Sequence, residues 1–274
     1  MPQRELSHVA SRVDRYYRPK SIPKGDGAMR NLLVPSGALK SIQKQIKEVI
    51  LDEVPWPVCV YGGVRRRSTK ANAAVHVGQP VIFTLDIKSF FPSVRPGRVV
   101  QAFEGIGFGE PAAKLLARLT TFDNQLPQGT HTSTALANLV LSRADFRITR
   151  LANEHGFTYT RYVDDLSLSG GGRLYKFRNL IVRIIEDEGF QIKIEKKHTE
   201  SSRVRQIVTK LVVNTKVNLT REKRQEIRRA VLSEAHQTNG VLSPRGKGLL
   251  AWLSYINPKA GAKVKNRIGS LGTA

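Results

Sequence analysis

The 274-residue chain carries 45 Lys and Arg against 22 Asp and Glu, a net charge of +23. Such a surplus repels itself unless a polyanion neutralises it, so acidic partners and most small-molecule chemistry fit poorly, nucleic acid is the first candidate partner and anionic membrane the second. A hydrophobic fraction of 40% supports a buried core, the single cysteine, Cys59, excludes an internal disulfide or a Cys-rich zinc site, and no apolar run reaches the ~18 residues of a membrane span.

The N-terminal segment has no apolar signal-peptide core, so a cytoplasmic location is expected. Residues 4–17 read as a helix. Residues 18–37 read as loop and short strand, punctuated by Pro19, Pro23, Gly25, Gly27, Pro35 and Gly37. Leu39, Ile42, Ile46, Val49 and Ile50 recur at helical spacing. Residues 55–80 read as irregular and basic, with Gly62-Gly63 before Arg65-Arg66-Arg67. Val81-Ile-Phe-Thr-Leu-Asp86 is an apolar run ending in an acid, the pattern of a buried strand. A helix is expected over 111–122, a turn at Leu126-Pro-Gln-Gly129, and one long helix over 133–154 opened by hydroxyl residues suited to capping. Residues 158–169 read as a β-hairpin with Asp164-Asp165 near its turn. A helix over 174–188 follows, then strands over 190–194 and 207–214, then two basic amphipathic helices over 221–237 and 243–256. This order predicts an α+β protein around a central, mostly antiparallel sheet.

Charge is unevenly distributed: residues 1–80 and 221–274 each carry a net +8, while 13 of the 22 acids lie between them. Basic flanks around an acid-containing middle match a nucleic-acid groove with a metal site at its centre; an evenly basic surface gives the same counts. Asp86 at the end of a buried strand and Asp164 at a hairpin tip are costly to bury unless a cation compensates. Arginines would do so. A pair of Mg²⁺ ions would also do so, since hard cations take carboxylate oxygen and two of them stabilise the attacking and leaving oxygens of phosphoryl transfer. Asp-Asp in a turn is equally ordinary turn chemistry.

Four motifs in order alter that balance. Thr84-Leu-Asp86-Ile-Lys-Ser-Phe-Phe91, Leu126-Pro-Gln-Gly129 with Ser133 and Asn138, Arg161-Tyr-Val-Asp164-Asp165, and Gly189-Phe190 with Lys196-Lys197 resemble the palm motifs of reverse transcriptases over roughly residues 20–215. The resemblance implies a right-hand polymerase fold of fingers, palm (the central antiparallel sheet) and short helical thumb. Fingers would cover 1–80, palm 81–215 with a helical insertion at about 95–125, and thumb 216–274. It also implies roles. Asp86, Asp164 and Asp165 would be the catalytic carboxylates, ligating two Mg²⁺ (or Mn²⁺) ions with the Ile87 carbonyl. Phe91 would pack under the sugar and disfavour ribose. Gln128 and Gly129 would lie against the incoming nucleotide, Lys24 and Arg30 would hold its triphosphate, and Lys197 would protonate the leaving pyrophosphate. Core packing for Phe91 and exposed basic loop for the lysines and Arg30 are the plain alternatives. His131 and Thr134 stand where the family has prolines.

Asn72-Ala-Ala-Val-His76 is similar to a signature of bacterial retron reverse transcriptases, whereas Val208-Thr209-Lys210 departs from their Val-Thr-Gly. This resemblance implies a structured non-coding RNA as partner and template, an RNA–DNA heteroduplex, deoxynucleoside triphosphates, an effector protein and a role in antiviral defence, with no membrane. Asn72 and His76 are candidate RNA contacts, as are Arg221, Arg224, Arg228, Arg229, Arg245 and Lys247. His76 as a hydrogen-bonded packing residue is the competing expectation. No nuclease segment is expected after the thumb. Alternatives are a group II intron-like or other defence reverse transcriptase, and a non-catalytic RNA-binding scaffold that keeps the fold.

Overall fold

The computed structural model describes residues 2–23 and 29–270. Helix α1 (Gln3–Ala10) stops short of the predicted boundary; the chain tightens into a 3₁₀ turn at Val13–Tyr16 and enters strand β1 (Tyr17–Pro23), antiparallel to β2 (Met29–Pro35). Of the loop and short strand expected here, strand is the larger part, because a two-stranded ribbon leaves free edges that tolerate Pro19 and Pro23. Helix α2 (Gly37–Gln45) continues into a π-helical turn at Ile46–Ile50. Within the segment expected to be irregular lies α3 (Thr69–Ala74), capped by Ser68 Oγ, which accepts from the Ala71 N–H at 3.1 Å.

Strand β3 (Val81–Asp86) is followed by α4 (Phe90–Ser93), α5 (Pro96–Gly105) and α6 (Glu110–Thr120). The single helix expected over 133–154 is two, α7 (Ser133–Val140) and α8 (Ser142–His155), because Leu141 leaves helical geometry at ψ 3° while its side chain is fully buried. Strands β4 (Thr158–Tyr162) and β5 (Asp165–Gly170) form the predicted hairpin, and α9 (Leu174–Asp187) follows. The strand expected over 190–194 shrinks to one bridge, Ile192 against Ile87; a 3₁₀ turn at Ile194–Lys196 leads to β6 (His198–Ser201). The strand expected over 207–214 folds back as β7 (Ile207–Val208) and β8 (Leu211–Val212), with positive φ at both turn residues, Thr209 (45°) and Lys210 (66°). Helices α10 (Arg221–Gln237) and α11 (Pro244–Ile256) match expectation. A third, α12 (Pro258–Gly269), follows them, capped by Asn257 with Pro258 in its first turn.

The central sheet has strand order β4-β5-β3-β6, antiparallel throughout. Strand alternation divides its faces. Val81, Phe83 and Leu85, with Leu166, Leu168 and Tyr159, join the main core. The opposite face carries Ile82, Thr84 and Asp86, with Asp165, Ser167, Ser169, Thr160 and Tyr162. Ile82 belongs to a second core with Val208, Leu211, Val213, Leu219, Ile227, Val231 and Leu253. That core joins stretches of chain that a division at 215/216 separates.

His76 and Asn72 are both fully buried, which corrects their reading as RNA contacts. The His76 ring bridges two strands, Nδ1 lying 2.7 Å from Ser169 Oγ and Nε2 2.7 Å from Thr160 Oγ1. Asn72 Nδ2 reaches Thr209 Oγ1 at 3.5 Å, tying α3 to the β7–β8 turn. Burial lowers the His76 pKa from 6.5 to about 4, so the imidazole folds neutral. The unfolded chain takes up a proton near pH 6.5 that the folded chain refuses until near pH 4. The contribution of His76 to stability is therefore fully present above about pH 6.5 and falls as pH drops through that window, by about 3 kcal/mol in all. Urea denaturation of wild type and His76→Gln from pH 7.5 to 4.5 checks this: the wild-type curve is steeper by roughly that amount.

Candidate active site

Asp86 ends β3 directly opposite Asp165, the first residue of β5. Directly opposed residues project to the same side, with Cβ atoms ~5 Å apart, so the two carboxylates are neighbours. Asp164 occupies the turn before β5, and its carbonyl accepts the Ile87 N–H at 3.0 Å, clipping the turn to the end of β3. Burial raises the Asp164 pKa, and Asp86 raises it further. Asp165 is pushed up to about 7, first by burial and then by Asp86 and Asp164. Lys196, Lys210 and Arg30 work against these shifts, so all three cations lie within electrostatic reach of the acids.

The Lys196 Nζ lies 2.6 Å from Asp86 Oδ2, on a side chain that is 53% exposed. Among the described residues neither Asp164 nor Asp165 has an ion-pair partner. Lys197 is exposed and forms no ion pair among the described residues, and it is its neighbour Lys196 that reaches the carboxylates. Phase decides this: the 3₁₀ turn ending at Lys196 points only one of two consecutive lysines at β3.

The hairpin tip is held from behind. Arg161 is fully buried and pairs with Asp145 through Nε at 2.8 Å and Nη2 at 2.5 Å. Its Nη1 donates to Asn138 Oδ1 and to the Val163 carbonyl, both at 2.8 Å. Tyr159 donates to Asp145 Oδ1 at 2.8 Å, and Asn138 Nδ2 donates to the Gly62 carbonyl at 2.8 Å. Burial works against the Arg161 charge, but Asp145 outweighs it and the pKa is raised. Val163, between Tyr162 and Asp164, has φ 62°, strained for a β-branched residue. A Cβ at Gly62 would lie 2.5 Å from both the backbone N and Cγ2 of Val163, so only glycine passes behind the tip.

Other expected residues surround this centre. Phe90 points inward against Phe190, and Phe91 is half-buried, its ring 5.8 Å from that of Phe90. The Gln128 carbonyl accepts the Leu33 N–H at 2.7 Å, docking the Pro-Gln-Gly turn on β2. Gly129 has φ 101°, closed to other residues. Arg30 is exposed on β2; Lys24 lies outside the described residues. In the C-terminal helices Arg221, Arg224 and Arg228 line a cleft of about 660 Å³ together with Lys263 and Arg267 of α12, and among the described residues no Asp or Glu lines it. Arg229, Arg245 and Lys247 are exposed outside that cleft. A larger cleft, about 1270 Å³, is lined by Trp56, Arg98, Phe108, Asn138, Asp145 and Glu188; none of the three catalytic candidates lines it.

Residues 22–228 match the family described as reverse transcriptase (RNA-dependent DNA polymerase). Retron Ec86 reverse transcriptase of Escherichia coli is 34% identical over 249 residues, covering 89% of this chain and 77% of that protein. The chain belongs to the reverse transcriptase family, in its retron branch. Retron Mx65 reverse transcriptase of Myxococcus xanthus is 36% identical over 281 residues, which cover 94% of this chain but 66% of that relative. Among solved structures, a telomerase from Candida albicans in complex with a telomeric RNA fragment superposes with a TM-score of 0.56 at 10% identity, covering 100% of this chain and 58% of that one. An apo telomerase from Candida Tropicalis gives 0.55 at 10% identity, over 93% of this chain and 56% of that one. These likenesses establish the fold.

Reverse transcriptases use divalent metal ions, and the carboxylates here fit one by donor chemistry: they are hard oxygen ligands, and burial followed by the neighbouring acids raises the pKa of Asp164 and Asp165. Among the described residues no three such side chains already form a cage, and the Lys196 ammonium stands on Asp86. No helix among the described residues is long and apolar enough to cross a membrane.

Lys196 and Lys210 stand in motifs that give them no role at the site, and Asp145 and the α12 pair Lys263 and Arg267 are not singled out by local pattern. Helical spacing of the α12 cations after Pro258 was the available signal for the last two. Removing Asp145 strands a buried guanidinium, so Asp145→Ala is expected to cost about 3–5 kcal/mol in urea denaturation. The double variant Asp145→Leu/Arg161→Met, with no unpaired charge, is expected to regain most of that loss.

Proposed function

We propose that this chain copies part of a bound, structured RNA into DNA, adding deoxynucleotides at the end held beside Asp86, Asp164 and Asp165. The observation that carries this reading is the cross-strand opposition of Asp86 and Asp165, with Asp164 clipped to the end of β3, inside a chain of net charge +23. Two Mg²⁺ ions, held by these carboxylates and the Ile87 carbonyl, would supply activation of the attacking 3′-oxygen and stabilisation of the leaving pyrophosphate. Arg30 and Lys24 hold the triphosphate, Gln128 and Gly129 line the nucleotide, and Phe91 lies under the sugar. Lys197 protonates the leaving pyrophosphate. Residues 1–80 act as fingers, 81–215 as palm and 216–274 as thumb. The five cations of the α10–α12 cleft grip nucleic-acid phosphates, an affinity that falls steeply with salt. A cytoplasmic setting, an effector protein and a role in antiviral defence accompany this reading through the retron relatives.

Asp86→Asn and Asp164→Asn are each expected to lower primer extension on an RNA template at least about a hundredfold while RNA affinity, read by filter binding, stays within about twofold. Undiminished extension by both variants sinks the assignment. RNA binding with no incorporation by wild type on any primed template favours the scaffold alternative. Phe91→Ala is expected to raise ribonucleotide incorporation in competition assays.

A further inference from the structure

The segment that carries Lys196 is fastened along the catalytic strand by backbone hydrogen bonds. Lys88 N–H donates to the Gln191 carbonyl at 2.7 Å, Lys193 N–H donates to the Asp86 carbonyl at 2.8 Å, and Ile192 bridges Ile87. The 3₁₀ turn is closed by Lys196 N–H on the Lys193 carbonyl at 3.0 Å. The base of the lysine is therefore fixed, while its side chain is 53% exposed; Asp86, 15% exposed, is held in the strand. Fixed stem and solvated head make an arm that can leave without disturbing the sheet.

We infer that Lys196 is a resident counter-ion of the catalytic carboxylates, seated on Asp86 until a divalent cation replaces it, so that metal loading is an exchange of cations. This rests on the reading of these acids as the metal-binding centre. Without a cation, Asp86 would face Asp164 and Asp165 across a half-buried gap, and mutual repulsion would push the hairpin tip away from β3. A single ammonium on one carboxylate oxygen quiets that repulsion at little cost, because a half-exposed ion pair is weak and easily given up. A divalent ion brings twice the charge and reaches several oxygens at once. For Asp86 Oδ2 to ligate it, the ammonium 2.6 Å away must move. Lys210 and Arg30 lie within electrostatic reach of the same acids but contact none of them, so neither competes for that oxygen. Lys196 is thus a positioning residue, acting on the metal through Asp86.

The test uses full-length protein freed of nucleic acid and the Mn²⁺ ion as probe, with free Mn²⁺ followed by electron paramagnetic resonance. Lys196→Met keeps the stem and removes the charge; it is expected to bind Mn²⁺ about three- to tenfold more tightly than wild type. The same variant without metal is expected to melt a few degrees lower and to gain more from added Mn²⁺ than wild type gains. Lys196→Arg, which keeps a cation on Asp86, is expected to stay within about twofold of wild type in both measurements. A merely structural lysine would lower stability without tightening metal binding. If Lys196→Met and Lys196→Gln bind Mn²⁺ with wild-type affinity or weaker, while Asp86→Asn abolishes the wild-type site, the exchange is wrong and the metal centre stands. If wild-type protein shows no Mn²⁺ uptake sensitive to Asp86→Asn, both the exchange and the metal-centre reading fall.

Discussion

Carboxylates that repel one another are pressed together at one end of the central sheet, and most of the surrounding structure answers that repulsion. Strand pairing fixes Asp86 opposite Asp165, so the two cannot drift apart. The Ile87–Asp164 backbone bond adds the third acid. Burial then removes the water that would have screened them, and two of the three hold their protons more tightly than free carboxylates do. Three cations on three separate elements, the β2 strand, the 3₁₀ turn before β6 and the β7–β8 turn, supply positive potential in return. Lys210 does so from a left-handed backbone position, where a glycine would sit with less strain. The departure from Val-Thr-Gly thus exchanges conformational ease for a charge near Asp165.

Holding the tip of the hairpin is a separate problem, solved from the apolar side of the sheet. Arg161 spends its donors on Asp145, Asn138 and the Val163 carbonyl, and so ties two helices to the strained residue next to Asp164. Asn138 passes the link on to Gly62, whose missing side chain lets that backbone run against Val163. A buried ion pair of this kind contributes little net stability compared with an apolar pair of equal size. Its value here is geometric, since it fixes the one carbonyl that sets the direction of the turn.

The sequence made legible what depends on neighbours along the chain. The apolar run ending at Asp86, the hairpin bearing Asp164 and Asp165, and the helical period of Arg221, Arg224 and Arg228 are local patterns with a single reading. What escaped depends on distance or phase. His76 meets Ser169 and Thr160 only once the sheet has formed, so nothing around residue 76 distinguishes an inward imidazole from an outward one. Lys196 and Lys197 are equivalent as text; a single 3₁₀ turn separates them. Only short strand was legible where the proline-bearing β1–β2 ribbon forms, because two strands without further neighbours tolerate residues that a central strand would not. Helix α12 begins at a proline that reads as punctuation until Asn257 is seen to cap it.

Strand β3 belongs to two bodies at once. Ile82 is embedded among the side chains of β7, β8, α10 and α11, and Asp86 lies two pleats further along the same face. The C-terminal helices are therefore not a loose flap. A displacement of those helices would press on Ile82 through side-chain packing, and from there only four residues of one paired strand lead to Asp86.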